Sequence, residues 1–230
     1  GHEARLCKTA FHPSGQYLAT TSYDHTFRLW DVETSQQLLL QDGHNAATYG
    51  IGMHPDGSLL STSDFGGVAR VWDLRTGKGI THYVGSHARR VLCCEFSTRC
   101  GFIMATAGDD GTIQVWDLRK SASSGKPSEG RGGTKQQQQQ SLASIPAHSN
   151  LIPQIMFAPA PATTNGFNVG GGDVLVSCSF DGTARVWSTR DWKMLTTLEG
   201  HEGKVMGINI LGNTNNVVTC GYDKTLKIWT

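Results

Sequence analysis

The sequence predicts an all-β chain built from repeated four-stranded antiparallel sheets, and three periodic markers carry that prediction. Tryptophan ends the triplets RLW, RVW, QVW, RVW and KIW at Trp30, Trp72, Trp116, Trp187 and Trp229, at intervals of 42, 44, 71 and 42 residues. Histidine preceded by a small residue stands at His2, His44, His87, His148 and His201, which is 28, 28, 29, 39 and 28 residues before the tryptophans. Six residues before tryptophan come Asp24, Asp110, Asp181 and Asp223, each followed two residues later by Thr26, Thr112, Thr183 or Thr225. The second repeat departs from this rule, with Gly66 at the marker position and Asp64 two residues earlier. A fixed period decides the architecture before any local preference is weighed.

Within each period the elements follow in order. The first repeat holds four short runs, LCKTAF (6–11), YLATTS (17–22), TFRLWDV (26–32) and QQLLLQ (36–41). Their β-branched and aromatic residues fit a pleated, partly buried surface. The turns HPSGQ (12–16) and HPDGS (54–58) separate first from second runs, joining a proline that presets φ to a glycine that tolerates φ > 0. Four runs joined by short turns make an antiparallel meander.

Composition narrows the function classes. Hydrophobic residues are 38% and charged residues 17% of the 230, a globular rather than a disordered balance. Lys plus Arg (20) nearly equals Asp plus Glu (19), so there is no whole-chain charge signature of nucleic-acid or membrane binding, and any such contact is local. The first residues, Gly1 to Arg5, lack the apolar stretch of a signal peptide, so an intracellular chain is expected. Cys7, Cys93, Cys94, Cys100, Cys178 and Cys220 form no CxxC pair and read as free thiols in a reducing compartment. No metal site and no cofactor are expected: the repeated histidines fall one per sheet, too far apart for one tetrahedral ion. No nucleophile elbow, phosphate loop, zinc-protease or dinucleotide motif occurs, and GGG (170–172) lacks the Lys and helix of a phosphate loop. An enzyme is therefore not expected.

Two insertions lengthen the fourth period. Residues 121–141 are low in complexity and glutamine-rich, cannot offset their ordering entropy by burial, and are expected to be disordered. Residues 159–173 read as a loop from their Gly and Asn content. Arg119, Lys120, Lys126, Arg131 and Lys135 offer contacts to phosphate, but composition favours a solvated spacer.

Periods of about 40–45 residues with Gly-His and Trp-Asp signatures resemble WD-repeat propeller blades. Trp-Asp stands at Trp30-Asp31, Trp72-Asp73 and Trp116-Asp117, and the fourth repeat has Trp187-Ser188. The resemblance implies one propeller domain over 1–230. It also implies that His, Asp, Ser or Thr and Trp hydrogen-bond within each blade, so that His2, Asp24 and Trp30, or His148, Asp181 and Trp187, are structural. In that architecture the residue before the turn aspartate lies near the central channel: Tyr23, Phe65, Asp109, Phe180 and Tyr222, four of five aromatic. Tyr23, Phe180 and Tyr222, with Arg5, Arg89, Arg90 and Lys204 nearby, form the expected protein-binding face, whereas Phe65 is expected to cover its blade.

Within the family, FHPSGQYLATTSYDHTFRLWDVE (11–33), HPDGSL (54–59), RVWDLRTGK (70–78), IPAHSNL (145–151) and GHEGKVMG (200–207) are similar to the WD-repeat subunits of the spliceosomal U4/U6 small nuclear ribonucleoprotein. That likeness implies a nuclear, non-catalytic scaffold of the U4/U6 particle and the tri-snRNP, with a companion splicing factor and a cyclophilin as partners, U4/U6 snRNA met indirectly or through local basic patches, and no membrane or small-molecule substrate. Such propellers have seven repeats and a preceding N-terminal region, so the five seen here are expected to belong to a larger propeller. The alternative is another WD-repeat adaptor, such as a ubiquitin-ligase substrate receptor or a chromatin reader.

Overall fold

The computed structural model describes residues 1–85, 87–121, 140–158, 174–211 and 216–230. Among these residues nineteen strands form five antiparallel meanders, with one four-residue helical turn, α1 (Leu118–Ser121). The first sheet runs β1 (Leu6–Phe11), β2 (Tyr17–Ser22), β3 (Phe27–Asp31), β4 (Gln37–Gln41), and the second β5 (Thr48–Met53), β6 (Leu59–Asp64), β7 (Ala69–Asp73), β8 (Lys78–Tyr83). The third is β9 (Val91–Phe96), β10 (Ile103–Gly108), β11 (Thr112–Asp117), β12 (Ala143–Pro146). The fourth is β13 (Gln154–Phe157), β14 (Val174–Cys178), β15 (Thr183–Ser188), β16 (Met194–Glu199), and the fifth has three strands, β17 (Val205–Ile210), β18 (Val217–Gly221) and β19 (Leu226–Trp229). The four runs read from the first repeat thus match its four strands within a residue or so at each end.

First strands neighbour one another from sheet to sheet, β1 beside β5, β5 beside β9, β9 beside β13 and β13 beside β17, so each sheet is a blade radiating outward from its first strand. The core consequently lies between blades. Ala19, Phe27 and Leu29 of the first blade meet Ile51, Leu60 and Trp72 of the second. The same positions recur as Ala69 and Val71 against Phe96, Met104 and Trp116, then Ile113 and Val115 against Ile155, Phe157 and Trp187. In the fifth blade Leu226 and Ile228, which match Phe27 and Leu29, are exposed, because no described blade packs on that side. Hydrogen bonds also stitch the blades at the end opposite the repeated histidines: His12 to the carbonyl of Gly57, His54 to that of Gly101, and the Thr98 hydroxyl to that of Ala158.

Lys8 reaches from the first blade to two others. Lys8 Nζ on β1 donates to the carbonyls of Leu92 (3.1 Å) and Pro153 (2.8 Å), which belong to the third and fourth blades. On β9, burial pushes the Glu95 carboxyl up to about 8, against the pull of Lys8. A carboxyl raised above its unfolded value favours the fold while protonated, so its contribution is full below the unfolded value of 4.5 and declines as pH rises through 8. Glu95→Gln should remove that decline. Thermal melts at about pH 5, 7 and 9 check this, and an unchanged pH dependence would show that Glu95 is already ionised in the fold.

Candidate interaction face

Each blade holds one relay of side chains that ends at an aspartate. In the fourth, Trp187 Nε1–H donates to Ser177 Oγ (2.9 Å), Ser177 lies 2.8 Å from His148 Nε2, and His148 Nδ1 lies 2.8 Å from Asp181. The hydroxyl has one proton and already accepts from tryptophan, so it donates to Nε2, and the proton on Nδ1 points at the carboxylate. Burial lowers the pKa of His148 despite Asp181, which favours this neutral imidazole. The relay repeats through Trp30, Thr20, His2 and Asp24; Trp116, Thr106, His87 and Asp110; and Trp229, Thr219, His201 and Asp223.

The aspartates also accept from backbone. Asp24 takes the N–H of Glu3 and of Thr26, and Asp223 those of Glu202 and Thr225, tying the loop before the first strand to the turn between second and third strands. Burial opposes ionisation of Asp24 and Asp223, but these bonds, with those from the threonine hydroxyls and histidines, hold both carboxyls well below the usual range. At Asp110 the same balance settles at about 2.

The second blade keeps the relay despite its broken marker. Trp72 Nε1 donates to Thr62 Oγ1 (2.7 Å), which lies 2.7 Å from His44 Nε2, and His44 Nδ1 lies 2.6 Å from Asp64. Asp64 ends β6 at the position Ser22 holds in the first blade, and its Oδ1 accepts from the N–H of Gly66 and Val68 (2.9 Å each). The exception in sequence is therefore no exception in space, and Asp64 joins the structural set that spacing alone left without it. The hydroxyl members Thr20, Thr62, Thr106, Ser177 and Thr219, each ten residues before tryptophan, were likewise not singled out by residue number.

With these groups bonded to one another, chemistry at this end falls to the residues beside them. One backbone hydrogen bond per blade sets a turn residue against a residue of the preceding loop: Tyr23 N–H to Arg5 O, Phe65 to Ala47, Asp109 to Arg90, Phe180 to Leu151 and Tyr222 to Lys204 (2.7–3.1 Å). Aromatic and basic side chains are juxtaposed by that repeat. Tyr222 is 74% and Tyr23 40% exposed, and Arg5, Arg89, Arg90 and Lys204 are all exposed. Phe180 is partly buried beneath Lys204, whose Nζ stands 4.9 Å from its ring centre. Phe65 stacks on Tyr49 (5.2 Å between ring centres), takes the edge of Tyr23 and lies under the Arg90 guanidinium (4.8 Å). It links the first three blades. Among the described residues no group of three or more His, Cys, Asp or Glu side chains is placed to hold a metal ion.

Comparison with known proteins bears directly on these repeats. The model of the WD domain, G-beta repeat, matches residues 1–31, 35–73, 78–117, 139–188 and 192–230. The chain belongs to the WD-repeat family. Its five repeats coincide with the five blades, and the fold is that of a β-propeller. This WD-repeat chain is 34% identical over its whole length to "U4/U6 small nuclear ribonucleoprotein PRP4" of Saccharomyces cerevisiae, of which the match spans 43%. It is 28% identical to "Nuclear distribution protein nudF" of Emericella nidulans, over 99% of the chain and 60% of that protein. It is 29% identical to "Telomerase protein component 1" of Rattus norvegicus, over the full chain and 8% of that protein. The chain thus spans less than two thirds of each of these relatives.

The two insertions interrupt the WD repeats between β11 and β12 and between β13 and β14. Expected disorder over 121–141 and a loop over 159–173 fall mostly or wholly outside the described residues, as do Lys126, Arg131 and Lys135. Arg119 is described: it pairs with Asp117 (2.8 Å) and lies 3.7 Å above the Phe102 ring, which engages it within its own blade. Of the six cysteines, Cys93, Cys94 and Cys178 are buried, and burial pushes the thiol of Cys93 up to about 11 and that of Cys94 up to about 12, and raises that of Cys178 as well.

Proposed function

We propose that this WD-repeat chain is a non-catalytic, nuclear protein-interaction scaffold in pre-mRNA splicing, part of the U4/U6 particle and of the tri-snRNP. One observation carries the scaffold reading: the repeated His, Asp, Thr or Ser and Trp side chains are bonded to each other inside the blades, while exposed tyrosines and cations gather on the face beside them. Side chains held this way stabilise blades and offer no free nucleophile or base. The place in splicing rests on the likeness of this chain, over all its residues, to 43% of the yeast U4/U6 protein. Its partners are proteins of that particle, a companion splicing factor and a cyclophilin, anchored on Tyr23, Phe180 and Tyr222 and oriented by Arg5, Arg89, Arg90 and Lys204.

Capture from nuclear extract on the tagged chain tests this. U4 and U6 RNA and their proteins should co-purify, and Tyr23→Ala, Phe180→Ala and Tyr222→Ala together should deplete them with the fold intact by melting. Recovery of ubiquitin-ligase subunits or histones in their place would select the adaptor alternative.

A further inference from the structure

Lys8 carries its ammonium across the central channel to two backbone carbonyls. Thr21 Oγ1 on β2 accepts from the Lys8 N–H (3.3 Å) and donates to the carbonyl of Tyr49 (2.9 Å), so the root of the side chain is fixed between the first and second blades. The stem passes beside the Tyr49 ring, with Nζ 5.5 Å from its centre, and ends on the carbonyls of Leu92 and Pro153. First strands neighbour one another in chain order, yet this ammonium passes the second blade and reaches the third and fourth. Among the described residues no other hydrogen bond joins the first blade to either of them.

Such a link is a chord across an arc of blades. Its near end is tied to the turn of Tyr23, which donates to the carbonyl of Arg5 just before β1, and its far end to the turn of Phe180, which donates to that of Leu151 just before β13. The length of the chord therefore sets how far apart the first and fourth blades stand at the end that carries the repeated histidines. We propose that Lys8 is a releasable strap: its ammonium holds the first blade to the fourth, and the Glu95 carboxylate, once ionised, draws it back to the third.

Glu95 is the competitor because of what surrounds the ammonium. The titratable groups within its field are Cys7 on β1, Tyr49 on β5, Cys93 and Glu95 on β9, and Cys178 on β14. Burial pushes the Cys7 and Cys93 thiols up to about 11 and raises the Tyr49 phenol and the Cys178 thiol too, so all four stay neutral through mildly alkaline pH. Glu95, pushed up to about 8, becomes the first anion among them. An ammonium bonds a carboxylate more strongly than a neutral carbonyl. Leu92 and Glu95 lie on the same strand, so a shift toward Glu95 keeps the tie to the third blade and gives up Pro153 in the fourth. At lower pH the acid is neutral and the two carbonyls hold the ammonium unopposed.

Dipolar electron paramagnetic resonance on the full chain tests the strap, with spin labels on non-natural residues at Glu3 and Ser149, exposed positions of the first and fourth blades at that end. At about pH 6 Lys8→Met should lengthen the label separation by about 3 Å, the hydrogen-bond length added when a water enters the broken contact, while Lys8→Arg keeps the short distance. Raising the pH to about 9 should lengthen it by a similar amount in the unsubstituted chain and leave it unchanged in Glu95→Gln, whose amide cannot ionise. A lysine that only stabilises the fold would not link the two variants through pH in this way. An unchanged separation in Lys8→Met would overturn the proposal, as would the absence of alkaline lengthening in the unsubstituted chain or its persistence in Glu95→Gln. Should Lys8→Met fail to fold, the pH series on the unsubstituted chain and Glu95→Gln decides by the same criteria.

Discussion

Asp64→Ala should destabilise the chain by about 3 kcal/mol, because it removes a buried side chain that accepts several hydrogen bonds and leaves the His44 Nδ1–H without an acceptor. Two backbone donors, Gly66 and Val68, lose the same oxygen. The loss should exceed that of Asp181→Ala, expected at about 1–3 kcal/mol, since the Asp181 side chain keeps some contact with solvent and Asp64 nearly none. A second variant separates position from function. Asp64→Ser combined with Gly66→Asp moves the carboxylate to the place it holds in the other four blades, and it should recover most of the lost stability. Denaturant unfolding of the three proteins checks the set. A double variant no more stable than Asp64→Ala would mean that the second blade depends on its own local geometry, not on the shared relay.

Trp116→Ala should cost about 3–5 kcal/mol, the range for emptying a large aromatic site in a packed core. Trp116 is fully buried, with its ring 4.3 Å from that of Tyr83 and packed between the second and third blades among Val71, Phe96 and Met104. Trp116→Phe distinguishes packing from the relay: most of the apolar contact remains, the N–H to Thr106 is lost, and the expected cost falls to about 1 kcal/mol for the hydrogen bond plus a smaller packing loss. Trp30→Ala should cost less than Trp116→Ala, because no described blade covers Trp30 from behind. Equal losses at Trp30 and Trp116 in chemical unfolding would contradict a core that lies between blades.

The blades were legible in the sequence because every repeat must solve the same packing problem. One tryptophan, one histidine and one aspartate per period mark elements whose spacing the strand and turn lengths fix. Asp64 escaped that reading because an offset counted along the chain does not see a side chain that reaches the same point from two residues away. The neighbouring Gly66 and Gly67, which free the turn, are the signal that was available. The face was legible in part. The offset from the relay aspartate located Tyr23 and Tyr222, yet the stack of Phe65 on Tyr49 and the reach of Lys8 to Leu92 and Pro153 join residues of different blades, and no period encodes them.

The central proposal is that this chain joins the U4/U6 particle through proteins, bound by the face that carries Tyr23, Phe180 and Tyr222. Its most direct test is the affinity of the chain for purified U4/U6 particle from about 50 to 200 mM salt, measured with and without the three alanine substitutions. Protein-mediated binding predicts a fall of less than about tenfold across that range and a loss of about 2 kcal/mol or more on truncating a true anchor. A fall of about a thousandfold with salt, insensitive to the three substitutions, would contradict it and assign the contact to phosphates.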